Sequence, residues 1–247
     1  MNILSTKTTA LFGAAVLALS FAACGGESGT GGDDNTELSS SSIGVNDPGS
    51  SSEIKSSSSS NIMTVSGTFT DERDNKEYKW VEIGTQTWMA ENLNHIPETG
   101  NSWCYKDDDS NCDTYGRLYD WGTAMEDCPD GWHLPSSEEW NTLVNFVGSS
   151  TAGTKLKSKT GWIDNGNGLI AGTDDYGFNA LPGGYRSGND GSFSSVGSSG
   201  LWWTATESES SSDYAQRRNT RSDFTDMSNG MGNFGKISGY SVRCVKD

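Results

Sequence analysis

Asp107, Asp109 and Asn111, at alternating positions, imitate the first ligands of a calcium-binding EF-hand loop. The sixth position is Cys112 where that loop needs glycine, and the twelfth is Leu118 where it needs a bidentate glutamate. The stretch therefore reads as a solvated acidic loop. His95 and His133 are the only histidines, so a zinc site runs short of ligands once the cysteines pair. His133 reads instead as a packed, hydrogen-bonded residue beside Trp132. Adjacent Glu138 and Glu139 have the types of a glycosidase pair, but they open a helix, where carboxylates favour the positive end of the dipole. No catalytic residue, metal ligand or cofactor is assigned.

What remains is aromatic. Trp162, Tyr185 and one of Trp202 or Trp203 lie in or beside a segment dominated by glycine, asparagine, serine and aspartate. Flat rings with Asp174, Asp175, Arg186, Asn189 and Asp190 as neighbours can stack on a sugar and hydrogen-bond it. Trp162, Tyr185 and Trp203, exposed together in one groove, form the expected ligand face. Core packing is the competing use of every one of these rings.

The elements that must position them are legible in part. Pro129, Asp130 and Gly131 make a turn, Pro135 holds Leu134 extended, and Ser136 with Glu139 has the S-x-x-E spacing of a capping box. Trp140, Leu143, Val144 and Val147 then mark one apolar helix face, and Gly148 stops the helix. An earlier helix is predicted over about 115–125 from Tyr115, Leu118, Tyr119, Gly122 and Met125. Strands are predicted over 68–70, 77–83 and 86–90, the last two a hairpin through Gly84-Thr85. Further strands are predicted over 201–206, with Trp202 and Trp203 on opposite faces, and over 240–245. Between Gly148 and Gly200 the chain is loop-rich, which is unusual inside a compact domain and often functional.

All nine tryptophans and all eight tyrosines follow residue 77, so the core forms there. Residues 1–23 read as a secretory signal: Lys7 precedes an apolar run from Ala10 to Ala23 that is short for a membrane span. Phe21-Ala22-Ala23-Cys24 resembles a bacterial lipobox, making Cys24 the lipidation residue; the plainer alternative is an ordinary signal with a leftover thiol. Residues 24–62, rich in serine and glycine, cannot bury enough apolar surface to fold and act as a disordered linker reaching roughly 35 Å. A folded domain at 63–247 follows. The net charge of −16 disfavours nucleic acid and anionic membrane surfaces, so membrane contact is through the lipid anchor alone. The remaining cysteines, Cys104, Cys112, Cys128 and Cys244, are an even set in an exported chain, which normally pairs, although four cysteines allow three connectivities.

Five segments carry a resemblance: 88–93 (WMAENL), 115–119 (YGRLY), 128–135 (CPDGWHLP), 176–184 (YGFNALPGG) and 241–245 (SVRCV). In that order they resemble the Fibrobacter succinogenes major paralogous domain, over about residues 64–247. That implies a bacterial surface or secreted protein of a family without an established activity. More weakly, the order of elements is similar to the C-type lectin-like fold, which implies an α+β domain with two helices, short antiparallel strands and a long loop-rich region. The lectin-like resemblance also implies a Cys128–Cys244 disulfide, leaving Cys104 with Cys112. The calcium-dependent sugar motifs of true C-type lectins are missing: no Glu-Pro-Asn or Gln-Pro-Asp occurs, and Gly188-Asn189-Asp190 lacks the tryptophan.

The sequence thus points to a non-catalytic binding or adhesion module, exported to the outer membrane or cell surface as a lipoprotein. Its partner is a polysaccharide, glycan or surface protein. A polysaccharide-active enzyme and a structural envelope protein are the alternatives.

Overall fold

The structure, a computed structural model, describes residues 64–230 and 234–247. The expected signal segment 1–23, the lipidation residue Cys24 and the linker 24–62 lie outside the described residues. Strand β1 (Ser66–Asp71) is followed by β2 (Lys76–Ile83) and β3 (Gln86–Met89). β2 and β3 pair from Trp80 with Met89 to Ile83 with Gln86. Gly84 turns the chain between them at φ 65°, in a region that glycine enters without steric cost.

The next stretch corrects the sequence reading. After β4 (Ser102–Trp103), the helix expected over 115–125 is three elements: α1 (Asp109–Tyr115), β5 (Leu118–Tyr119) and α2 (Trp121–Glu126). Gly116 at φ 75° ends the first. Leu118 and Tyr119 pair with β4, and the Asp120 carboxylate accepts from the Thr123 amide at 2.8 Å to start α2. Apolar spacing that imitates one helix is here the sum of three short elements.

β6 (Trp132–His133) leads into α3 (Ser137–Val147). The capping box forms: Ser136 Oγ accepts from the Glu139 amide at 3.2 Å, and the Ser136 amide donates to Glu139 Oε2 at 2.7 Å. Such a cap contributes about 1 kcal/mol. Trp140, Leu143, Val144 and Val147 are buried. With α4 (Ala152–Leu156), the described residues hold four α-helices where two were expected.

The region expected to be loop contains a two-stranded hairpin of β7 (Gly183–Arg186) and β8 (Phe193–Val196). β9 (Ser199–Glu207) and β10 (Tyr214–Arg221) then pair over their length, with β11 (Ser228–Asn229) and β12 (Phe234–Gly235) against β10. The strand expected over 240–245 is two strands in two sheets. β13 (Tyr240–Ser241) lies between β9 and β5, and β14 (Val245–Lys246) lies between β3 and β6. The fold class is α+β: a five-stranded sheet ordered β1-β2-β3-β14-β6, and a seven-stranded sheet ordered β11-β10-β9-β13-β5-β4 with β12 beside β10.

Trp202 and Trp203 do point to opposite faces of β9, but neither reaches solvent, both being 0% exposed. Trp202 enters a core with Trp88, Trp140 and Phe178. Trp203 enters a second core with Tyr119, Leu201 and Tyr240. The expectation of one exposed ring fails because α3 supplies Trp140 on one side and β13 supplies Tyr240 on the other. Disulfides join Cys104 to Cys112 and Cys128 to Cys244.

Candidate functional site

β10 alternates. Ala215, Arg217, Asn219 and Arg221 share the face of Trp203, while Arg218 and Thr220 face the other way. Arg218 reaches α3, donating to the Ser137 carbonyl and Asn141 Oδ1, and Thr220 Oγ1 donates to the Asp226 carbonyl. The first face opens into a pocket of about 300 Å³. Its walls are the rings of Tyr185, Phe234 and Tyr240, the neutral polar groups of Ser195, Ser199 and Asn219, and the two arginines Arg217 and Arg221. Among the described residues that line it, none carries a carboxylate.

Arg217 is the unusual member. Its guanidinium lies 3.7 Å from the Phe234 ring centroid and 5.0 Å from that of Tyr240. Its Nε is buried without a hydrogen-bond partner, and among the described residues no carboxylate pairs with it. Burial lowers the Arg217 pKa, with Tyr240 and Tyr185 opposing. Arg221, by contrast, forms a two-point pair with Asp223 at 3.0 Å on each side. Tyr240 is packed from behind by Trp203, at 4.5 Å between centroids. Burial raises the Tyr240 pKa, so it stays a neutral phenol.

The ligand groove expected from sequence is not formed. Trp162 is 8% exposed, and its Nε1 donates to Ser158 Oγ and the Ala180 carbonyl. Trp203 Nε1 donates to the Tyr119 carbonyl inside the second core. Both rings are structural. Of the expected ligand residues only Tyr185 lines the pocket. Arg186, next along β7 and therefore on its opposite face, stacks over Trp103 at 4.2 Å. Asn189 and Asp190 occupy the exposed tip of the β7–β8 hairpin, where hydrogen bonds from Ser187 and Ser192 hold the Asp190 carboxyl at about 2. Asp174 accepts from the Asn179 amide at 2.8 Å, and burial raises its pKa against that bond. Asp175 is exposed, and neither aspartate lines the pocket.

A second concavity, about 760 Å³, lies where Arg73, His95, Glu98, Glu126 and Asp127 meet. His95 is buried, and its Nδ1 lies 2.9 Å from Asp127 Oδ1. Arg73 bridges 3.5 Å to Asp127 and pairs at 2.7 Å with Asp71. Burial raises the Asp127 pKa against the pull of His95 and Arg73. For Asp71 burial is the largest influence and acts upward, but the bonds from Arg73 outweigh it and the pKa is lowered. A histidine ring nitrogen against a carboxylate is the geometry of a base positioned by a carboxylate. The nearby Thr123 hydroxyl accepts from the Asn101 amide at 2.8 Å. Among the described residues no group of three His, Cys, Asp or Glu side chains is placed to hold a metal ion. Glu139 is committed to the capping box, and its Oε1 meets His133 Nε2 at 2.8 Å.

Arg243 is fully buried between β13 and β14. Its Nη1 donates to the Met89 and Phe178 carbonyls, its Nη2 to the Asn179 carbonyl, and Nε and Nη2 both to Asn92 Oδ1. Asn92 Nδ2 in turn donates to the Tyr115 carbonyl, and the neighbouring Cys244 is bonded to Cys128. Residues 81–246 match the model of the Fibrobacter succinogenes major domain family. The chain belongs to that family. No curated protein and no solved structure matches it. In this major domain the five segments that carry the resemblance thus meet at one buried cation and its adjoining disulfide, and they read as a folding device. Arg217, Asn219 and Phe234 lie outside those segments. A cue to them exists in sequence: three arginines fall between 217 and 221 of a chain whose net charge is −16.

Proposed function

We propose that this major domain is a non-catalytic binding module for a polysaccharide or glycan, displayed at the cell surface on a serine-rich tether from a lipid anchor at Cys24. The pocket around Arg217 is its ligand site. One observation carries this reading: aromatic rings, hydroxyls, an amide and a guanidinium converge there on a space of about 300 Å³. Aromatic faces stack on sugars and the polar groups fix orientation. A C-type lectin-like arrangement is part of the proposal. Its support is the pairing of β14 with β3, the Cys128–Cys244 bond, and the long excursion between α3 and β9. A glycan array probed with the disulfide-bonded protein tests it, with Tyr185→Ala and Asn219→Ala as controls. Binding lost in both variants supports the assignment, and an array without signal from a folded protein removes it.

The second reading is a polysaccharide-active enzyme. It is favoured by the His95–Asp127 pair on the wall of the larger concavity. Release of reducing ends that His95→Gln abolishes, with Glu138→Gln and Asp175→Asn unaffected, would establish it.

A further inference from the structure

We infer that the Arg217 pocket selects saccharides bearing a carboxylate, seating a uronate group against the guanidinium while Tyr185 and Tyr240 face the sugar ring. The inference rests on the binding-module reading and names its ligand class.

Other inward-facing cations of this protein meet oxygen acceptors or carboxylates. Arg243 and Arg218, both buried, donate to carbonyl and amide oxygens. Lys157 donates to the carbonyls of Ile170, Arg221 and Phe224 at 2.7, 3.2 and 2.9 Å. Arg73 and Arg221 pair with Asp71 and Asp223. Arg217 differs in lying against rings, Phe234 and Tyr240, with the Tyr240 hydroxyl as its hydrogen-bond partner and with no carbonyl, amide oxygen or carboxylate of the described residues against it; its buried Nε, like that of Arg218, meets no acceptor. A buried donor without a partner is costly, more so when charged.

The missing partner has a definite chemistry. A guanidinium is a planar fork of donors that matches the two oxygens of a carboxylate. Stacking on Phe234 and Tyr240 fixes the plane of that fork. Gly230 allows the stacking, because a Cβ there would lie 2.8 Å from Arg217 Cγ and 2.8 Å from the Phe234 ring. The pocket lining holds no Asp or Glu among the described residues, although acidic residues outnumber basic ones 33 to 17 in the whole chain. No carboxylate of the lining itself therefore repels an anion there, and the Asp223 carboxylate beside it is paired with Arg221. The volume, about 300 Å³, lies at the lower end for small-ligand sites. It suits one sugar unit with its substituent. A neutral sugar would leave the Arg217 charge without a counter-ion, whereas a uronate would pair with it.

Isothermal titration of the intact, disulfide-bonded protein with trigalacturonic acid, its trimethyl ester and neutral galactotriose provides the test. The free acid is expected to bind at least tenfold more tightly than the ester or the neutral sugar. Arg217→Met keeps an apolar stem against Phe234 and removes the charge, and should reduce that ratio to below twofold. The comparison of acid with ester on the unaltered protein needs no variant, so it decides the matter even if Arg217→Met does not fold. Equal affinity for acid and neutral sugar overturns the uronate inference and leaves the binding module standing. The same inference falls if the preference survives in folded Arg217→Met. Absence of binding to all three, together with an empty glycan array, removes both.

Discussion

Arg243 places Nε at 3.0 Å and Nη2 at 2.7 Å from a single oxygen, Asn92 Oδ1, which also accepts from Trp202 Nε1 at 2.9 Å. Burial lowers the Arg243 pKa to about 9, with Glu91 and Asp174 opposing. The cation is thus held by neutral oxygens, with no carboxylate in contact among the described residues. Asn92→Ala removes two bonds to a charge and leaves the Tyr115 carbonyl without its donor. Losses of this kind cost about 3 kcal/mol, or roughly 6–12 °C in melting temperature for a domain of this size. Thermal unfolding followed by near-ultraviolet circular dichroism checks it, and a change below about 1 kcal/mol would contradict the account.

His133 lies between Glu139, at 2.8 Å, and Asp247, at 2.6 Å. Burial lowers its pKa, but the hydrogen bonds to Glu139 and Asp247 outweigh burial and the net shift is upward. A raised folded-state value means that the contribution is complete below the unfolded value and is lost as pH rises through the folded one. The side chain is 41% exposed, so solvent screening limits the contribution to about 0.5 kcal/mol. His133→Gln should therefore lower stability at pH 5.5 and leave it unchanged at pH 8.5, read from urea midpoints. A deficit at pH 8.5 as large as at pH 5.5 would argue against this origin.

The two disulfides close loops of very different size, with sequence separations of 8 and 116. Chain entropy assigns about 2.5 kcal/mol to the short loop and about 5 kcal/mol to the long one. The double variant Cys128→Ser, Cys244→Ser should lose the larger amount and also exposes polar hydroxyls to a core that holds Cys244 at 0% exposure. The double variant Cys104→Ser, Cys112→Ser should remain folded. Denaturant titration ranks them, and the reverse order would be decisive against the entropy argument.

Gly230→Ala tests the pocket without altering its charge. The new methyl group would press on Arg217 Cγ and the Phe234 ring, displacing the stacked guanidinium. Binding of trigalacturonic acid should weaken about tenfold, or roughly 1.4 kcal/mol, with stability changed by about 1 kcal/mol or less. Unaltered binding in a folded protein would show that the stacked position of Arg217 is immaterial.

The sequence is readable where the determinants are local. Ser136 and Glu139 announce their capping box at three-residue spacing, and Gly84 announces its turn, because each acts on backbone within reach of its own side chain. The alternation of Trp202 and Trp203 is readable for the same reason, as it follows from strand geometry alone. Their burial is not, because it depends on what lies opposite: Trp140 and Tyr240, remote in sequence from one another. Leu118 and Tyr119 fall at helical intervals from Tyr115, yet Gly116 and a strand partner 15 residues upstream, Trp103 against Leu118, override the pattern. The candidate site was legible only through Tyr185. Arg217 sits in a strand of polar residues that resembles a solvated loop, and what distinguishes it is its place against the rings of Phe234 and Tyr240, which no spacing records.

The split of residues 240–246 between two sheets sets an order of events. β13 completes the seven-stranded sheet, β14 completes the five-stranded one, and Arg243 and Cys244 lie between them. Everything upstream must therefore wait for this short segment before either sheet has its neighbour or the long disulfide its second sulfur. Chain growth from the amino terminus delivers that segment after every strand it pairs with, β3, β5, β6 and β9. Until then the hairpin of β2 and β3 presents a bare edge, and Asn92 and the Phe178 carbonyl face an absent cation. One short segment thus closes both sheets like a drawstring, and a protease acting on it would loosen both at once.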